Sequence, residues 1–349
     1  MSTARPRLDE VARLAGVSRA TASKALNGRH DVSSATRERV ASAASELGYQ
    51  GVGAGPAVPL IGLVADNMTT TYTLDILRGA TTAAMAAGVG LVTQYSEGLP
   101  PAGSHPLSDA WFEQVKRSGW LGVIVVTTKL SRRQLKKVAD LELATVAIDP
   151  ANALPPGVTS IGATNWNGGV EATEHLIGLG HRRIGFVRGT TGSVPAAERL
   201  QGYLSALMMH DLPHDARLVE GDEFSAEAGL RAGLTLLSLA EDVRPTAIFA
   251  ANDAIALGVY QAARQLGLHV PDDLSVVGFD DSLLAPLVTP PLTTVNQPLE
   301  DMGAAAVRTL VDLSQARPVT GGPIRLATSL AVRASTAPPA RWGAPRSIC

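Results

Sequence analysis

Residues 8–49, LDEVARLAGVSRATASKALNGRHDVSSATRERVASAASELGY, read as three short helices that close a small core and leave one helix facing outward. Leu8, Val11, Ala12 and Ala15 recur at helical spacing, Gly16 suits a tight turn, and Ser18 is placed to cap the next helix. In that second helix Ala22, Ala25 and Leu26 are expected to point inward, leaving Arg19, Ala20, Thr21, Ser23 and Lys24 on or near the outer side. Ser33 is placed to cap a third helix, Val40, Ala44 and Leu47 complete the core, and Gly48 ends the run. This is the grammar of a helix-turn-helix, a module that lays its second helix in the major groove of DNA. Because the N-terminal half of such a helix enters the groove, Arg19, Ala20 and Lys24 are expected at base edges. Ser18, Thr21, Ser23, Asn27, Ser33 and Thr36 are expected mainly at phosphates.

The formal net charge of the 349 residues is only -2, but its distribution is uneven. In the first fifty residues Arg5, Arg7, Arg13, Arg19, Lys24, Arg29, Arg37 and Arg39 outnumber Asp9, Glu10, Asp31, Glu38 and Glu46, so the basic excess sits on the small module and the remainder is acidic. With 45% hydrophobic residues the chain can bury a large core and should hold more than one domain. Residues 1–7 lack the apolar run of a signal peptide, and no stretch offers the roughly 20 apolar residues that a membrane helix needs. Cys349 is the sole cysteine, which excludes an internal disulfide and a cysteine-rich zinc site; a cytoplasmic protein without a resident cofactor or metal is expected.

After the module, residues 50–59 are rich in Gly and Pro and read as a flexible linker. Gly51, Gly53 and Gly55 follow no strand, so they fail the structural test of a dinucleotide loop. From Leu60 strand-like runs alternate with helix-like runs: LIGLVAD then TLDILRGATTAAMAAG, WLGVIVVTT then SRRQLKKVAD, ATVAIDP, RRIGFVRG then AAERLQGYLSALMMH, PTAIFAAND then AIALGVYQAARQLG, and LSVVGFDD. Such alternation predicts parallel sheets covered by helices, and there are too many units for one sheet. The expected fold is therefore an all-α helix-turn-helix domain (1–49) followed by an α/β core (60–336) of two doubly wound parallel-sheet lobes with a cleft between them, and a Pro/Ala-rich tail (337–349) without heptads.

The N-terminal pattern resembles the LacI/GalR family of transcription regulators, the lactose repressor type. The resemblance rests on Asp9-Glu10-Val11-Ala12, Ala15-Gly16-Val17-Ser18, the run from Thr21 to Asn27, Val32-Ser33, Thr36 to Val40 and Leu47-Gly48-Tyr49, and further along on GHRRIGF, ANDAIALG and PDDLSVVGFDD. It implies a periplasmic-binding-protein-like core, crossed near Ser160, Pro290 and Gly322, so that one lobe comprises about 60–160 and 291–321 and the other about 161–290 and 322–336. It also implies operator DNA, a homodimer and a small effector, with repression released by inducer as the commoner behaviour. Relatives usually carry Val in place of Ala22, Arg in place of Lys24, and a short minor-groove hinge helix where this chain has its Gly/Pro linker.

Ligands of open α/β sheets sit beyond the C-terminal ends of the strands. The residues that end the expected strands include Asp66, Thr127, Thr128, Asp149, Asn252, Asp253, Asp280 and Asp281, mostly acceptors. Acceptors with Arg199 donating in return, and Tyr72 or Phe224 as an aromatic wall, suit a neutral polyhydroxy ligand better than an anion. By the resemblance, effector positions map onto Asp149, Arg199, Phe224, Asn252 and Asp280, and more weakly onto Asp66 and Tyr72. Each residue also has a plain structural alternative: Asp280, Asp281 or Asp253 as a turn or helix cap, Arg199 as an ion-pair partner.

Two other classes are weighed against a regulator: a sugar-binding module with no regulatory role, which would need an export signal and no helix-turn-helix, and an α/β enzyme acting on a sugar. For the latter no catalytic residue is found. Asp280 and Asp281 are adjacent and should face opposite ways, no GxSxG elbow or P-loop is present, and Pro213 interrupts the helix that would align His210 with His214 on a metal. His181 is expected to fix the loop entering a strand.

Overall fold

Three helices form where the apolar spacing and hydroxyl caps place them: α1 (Leu8–Leu14), α2 (Arg19–Leu26) and α3 (Ser34–Leu47). Gly16 takes a left-handed φ of +66° between the first two. Ser18 Oγ accepts the Thr21 amide at 3.1 Å, and Ser33 Oγ accepts the Thr36 amide at 3.3 Å. Val11, Ala12, Ala15, Ala22, Ala25, Val32, Val40, Ala43 and Ala44 make the core, with Leu8, Val17, Leu47 and Tyr49 packed against it. Leu26, expected inside, is instead 40% exposed, because the small side chains of Ala22 and Ala25 already fill the inward face of α2.

The computed structural model describes residues 6–26, 29, 32–47, 49, 58–96, 105–155, 157–319 and 322–339. They fall into two compact units, one ending at Val58 and the other beginning at Pro59. Asn27, Gly48, linker residues 50–57 and tail residues 340–349 lie outside the described residues.

The larger unit runs β1 (Leu60–Ala65), α4 (Thr71–Ala87), β2 (Gly90–Tyr95), α5 (Asp109–Arg117), β3 (Gly122–Val126), α6 (Arg132–Asp140), β4 (Ala144–Ile148), β5 (Thr159–Ala163), α7 (Asn165–Gly178), β6 (Ile184–Val187), α8 (Val194–Met209), β7 (Val219–Glu220), α9 (Ala226–Leu237), β8 (Ala247–Ala250), α10 (Asp253–Gln265), β9 (Ser275–Asp280), β10 (Thr293–Asn296), α11 (Leu299–Ser314), β11 (Ile324–Leu326) and β12 (Ser329–Ala331). Among the described residues two six-stranded sheets result, ordered β11-β5-β4-β3-β1-β2 and β12-β10-β9-β8-β6-β7. All pairings are parallel except β10 with β12. Runs such as GVIVV and AIFA are buried throughout, as strands covered on both faces require.

In the first lobe α4 and α11 cover one face through Ile76, Ala80, Met302, Ala306 and Leu310, while α5 and α6 cover the other through Trp111, Phe112, Val115 and Val138. The second lobe packs around Leu176, Phe186, Tyr203, Leu236, Phe249, Val259 and Phe279.

Sheet membership fixes where the chain changes lobe. β5 joins the first sheet through Val146 to Thr159, so the first crossing lies at 163–165 and not near Ser160. β10 pairs with β9, which moves the second crossing from Pro290 to 296–299. β11 pairs with β5 and β12 with β10, placing the third at 326–329 and not near Gly322. The expected lobe ranges shift accordingly. The first and third crossings are tied together: Thr164 N donates to Leu326 O at 2.9 Å, and Thr328 N donates to Thr164 Oγ1 at 2.9 Å.

Candidate functional site

Parallel strands followed by helices bring strand C-termini and helix N-termini to the same end of each lobe. Here those ends meet at a cavity of about 300 Å³. Its lining includes all eight residues singled out from the sequence: Asp66, Tyr72, Thr127, Asp149, Arg199, Phe224, Asn252 and Asp280. It also includes Asn67, Thr70, Ala151, Thr190, Ser193 and Glu223, which the sequence reading did not pick. Thr70 and Ser193 are the N-caps of α4 and α8, a signal that a search for helix starts could have used.

Three of these residues sit in strained backbone. Thr127, Asp149 and Asp280 have φ of 50°, 40° and 111°, a region that costs a β-branched or ordinary side chain energy and that clusters at ligand sites. Each follows or ends a strand, at the layer where the strand ends line the cavity.

On the first-lobe side Tyr72 Oη donates to Asp149 Oδ2 at 2.7 Å, and Thr127 Oγ1 donates to Asp66 Oδ1, which also accepts the Asn67 amide. Burial pushes the Asp149 carboxyl above its ordinary range, opposed by the Tyr72 hydroxyl and the Arg199 charge. Burial, and then the Asp149 charge, pushes the Tyr72 phenol well above its usual value.

On the second-lobe side Arg199 is 3% exposed. Its Nε donates to Asn165 Oδ1 at 2.9 Å, its Nη1 donates to Ala251 O at 2.6 Å and lies 3.5 Å from Asp280 Oδ1, and its guanidinium stacks 3.8 Å over the Phe279 ring. Asp280 also accepts Gln297 Nε2 at 2.7 Å, and burial pushes it up to about 7 against the pull of Arg199. Among the described residues the lining thus holds four carboxyl groups, Asp66, Asp149, Asp280 and Glu223, against one cation that is already engaged. An anion would meet repulsion there; neutral hydroxyls would meet acceptors.

The plain structural alternatives also find their places. Asn252, not Asp253, is the N-cap of α10, accepting the Ile255 amide at 2.9 Å. Asp253 is buried and accepts Thr294 Oγ1 and the Ser282 amide, and burial pushes it up to about 6. Asp281 turns away from Asp280 to pair with Arg333 at 2.6 Å, so the two do not flank one bond. α8 ends at Met209, and His210 lies 3.6 Å from Glu174, off any shared helix face with His214. His181 is buried, bonded to Thr246, Ser275 and the carbonyl of Ala337. Among the described residues no group of three or more His, Cys, Asp or Glu is placed to hold a metal, and no helix is long and apolar enough to cross a membrane.

In the smaller unit Ser18, Arg19, Ala20, Lys24 and Ser33 are exposed, and Thr21, Ser23 and Thr36 are half-buried. Two hydroxyl pairs stand at helix starts, Ser18 with Thr21 at 2.8 Å and Ser33 with Thr36 at 2.9 Å. Arg19 Nε lies 3.5 Å from Asp9 in a solvated pair that a stronger partner can displace.

Fold and sites together define a protein with a DNA-reading helix-turn-helix and a two-lobed small-molecule-binding core. Residues 7–51 match the model of bacterial regulatory proteins, lacI family, and residues 173–336 match a periplasmic binding protein-like domain. The chain is 34% identical to the HTH-type transcriptional regulator CelR of Thermobifida fusca, over 95% of its own length and 98% of that protein. It superposes with a TM-score of 0.71 on the solved transcriptional regulator CelR–cellobiose complex (33% identical, covering 95% of this chain and 100% of that one). The score is 0.70 on the lac repressor dimer bound to operator and the anti-inducer ONPF (30% identical, 96% and 100%). The chain belongs to the LacI family and is a sequence-specific DNA-binding transcriptional regulator with a periplasmic-binding-protein-like core.

Proposed function

We propose that the protein is a cytoplasmic repressor that binds a pseudo-palindromic operator as a homodimer and answers to a neutral carbohydrate, or a related polyol, held between its lobes without turnover. The carrying observation is the cavity lining among the described residues: four carboxyl groups and several hydroxyls and amides around one engaged arginine, with Phe224 and Tyr72 as apolar walls for the C–H face of a ring. Cellobiose in the solved CelR complex and the operator-bound lac repressor dimer support the same reading. In the DNA complex Arg19, Ala20 and Lys24 meet base edges, while the hydroxyls of Ser18, Thr21, Ser23, Ser33 and Thr36 hold phosphates. Linkage supplies the mechanism. A sugar that prefers one lobe arrangement shifts the population, and operator affinity responds by the same factor that operator imposes on sugar affinity.

Calorimetry against D-glucose, D-ribose, cellobiose and their phosphorylated counterparts tests the ligand class, alongside gel retardation on duplexes selected from a random pool. A neutral sugar that binds and changes retardation is the expected outcome. Tight binding of phosphorylated sugars alone would overturn the ligand reading, and chemical conversion of the sugar by the purified chain would favour the enzyme. A monomer in sedimentation that holds a lone half-site with full affinity would overturn the dimer.

A further inference from the structure

Asn165 is the first residue of α7, at the end of the crossing at 163–165, and it is 2% exposed. Its side chain faces two ways. Oδ1 accepts Arg199 Nε at 2.9 Å, while Nδ2 donates to Glu198 Oε2 at 3.1 Å and to Ala163 O, the last residue of β5, at 3.3 Å. The buried cation of the cavity is thus bonded through one amide to the backbone of the strand that enters the crossing. The next residue back, Thr164, carries the bonds to Leu326 and Thr328 that tie the first crossing to the third. The approach of α7 and α8 that makes this possible depends on glycine: a Cβ at Gly202 would stand 2.3 Å from Trp166 O, and one at Gly169 would stand 2.5 Å from Arg199 O.

We infer that Asn165 is a positioning residue that transmits the placement of Arg199 to the inter-lobe crossings, and so sets the balance between lobe arrangements. The inference deepens the regulatory reading of the cavity and rests on it for its biological meaning. Its physical content is independent of which ligand binds. Arg199 shifts when a partner competes for its donors; Asn165 follows because its acceptor is held by Nε; and the Nδ2 bond to Ala163 O then strains or relaxes at the point where the chain leaves the first lobe. A single packing role would predict no such directional link.

The test reads the lobes directly and needs no sugar. Nitroxides are placed on Met85→Cys in α4 and Met208→Cys in α8, both strongly exposed, in the full chain carrying Cys349→Ser, and inter-lobe distances are measured by pulsed electron paramagnetic resonance. Asn165→Asp keeps the acceptor for Arg199 but removes the donor to Glu198 and Ala163. It should change the population of the minor lobe arrangement about fivefold, the scale of one net hydrogen bond. Adding Glu198→Gln to Asn165→Asp exchanges the amide and the carboxylate at the same charge and restores the bond between residues 165 and 198, but it leaves Ala163 O without its donor, so the distribution should stay shifted. Arg199→Gln should shift the parent distribution and produce little further shift on top of Asn165→Asp. An unchanged distribution in Asn165→Asp, full rescue by Glu198→Gln, or fully additive shifts of Asn165→Asp and Arg199→Gln would overturn the inference. If Asn165→Asp does not fold, the near-isosteric Asn165→Leu, which has neither the acceptor for Arg199 nor the donor to Ala163, must shift the distribution or the inference falls. Failure of the sugar reading shows separately, as no binding across the sugar panel with the distance cycle intact.

Discussion

Replacing Arg199 with Met keeps an unbranched side chain over Phe279 and removes the buried charge. Two acceptors lose their donors, Asn165 Oδ1 at 2.9 Å and Ala251 O at 2.6 Å, and leaving buried acceptors unpaired costs about 1–3 kcal/mol. The cost of stranding Asp280 depends on pH. Its pKa in the folded protein, about 7, stands above the ordinary carboxylate value of 3.8, chiefly through burial. Its contribution to stability is therefore complete below the ordinary range and is lost as pH rises through about 7. Arg199 lowers that pKa, so its removal raises it further, and ionising Asp280 costs the variant more than it costs the parent. At pH 6 both proteins carry the proton and the difference is the acceptor cost alone. Above pH 7 the gap widens by up to ~1.4 kcal/mol per pH unit, so at pH 8 it should be about 1 kcal/mol larger, approaching the roughly 3–5 kcal/mol of a broken buried pair at higher pH. Urea unfolding followed by tryptophan fluorescence at pH 6 and pH 8 measures both gaps. A gap that is constant, or smaller at pH 8, would refute the assignment of Asp280 as a buried carboxyl held by Arg199.

Three further outcomes are expected. Arg19→Ala should cost about 1–3 kcal/mol of operator binding, concentrated at one base position, as read by competition with a set of single-substitution duplexes; a uniform loss would reassign Arg19 to phosphate. Gly202→Ala, whose Cβ would press on Trp166 O, should cost at least the ~1–3 kcal/mol of an overpacked site and lower the melting temperature, whereas an unchanged melting temperature would show that α7 and α8 can part freely. Tyr72→Phe removes the hydroxyl that holds Asp149 down, so sugar affinity should fall by about 1 kcal/mol and the loss should grow as pH falls; calorimetry across a pH series checks the direction.

The parts of this molecule that were legible in the sequence are those set by local rules. Ser18 and Ser33 announce helix starts because a hydroxyl must meet free amides there, and Val11, Ala22 and Val40 announce a core by spacing alone. The cavity lining was readable for a related reason: the end of each apolar strand run marks a layer where Asp66, Thr127, Asp149, Asn252 and Asp280 must collect, whatever the order of the strands. Strand order itself was not readable. Whether β5 sits beside β4, or β11 beside β5, is decided by pairing between segments far apart in the chain, and three-residue strands such as IRL and SLA carry too little pattern to choose a sheet. Asn165 gave no signal at all, since an asparagine at a helix start reads as a cap, and its role rests on a partner 34 residues away.

The three crossings have a consequence for how such a chain can be recombined. The DNA-reading unit is one uninterrupted stretch that ends at Val58, so a single exchange at that point swaps operator choice and leaves the ligand cavity whole. Neither lobe has that freedom. The first needs β1 to β5 together with α11 and β11, and the second needs α7 to β10 together with β12, so each is interleaved with the other along the chain. A graft of one lobe requires cuts at all three crossings, while a single cut inside the core leaves a sheet without its edge strand or its covering helix. New pairings of operator and signal are thus open to simple gene fusion, whereas a new cavity must be reached by changing side chains within an intact core.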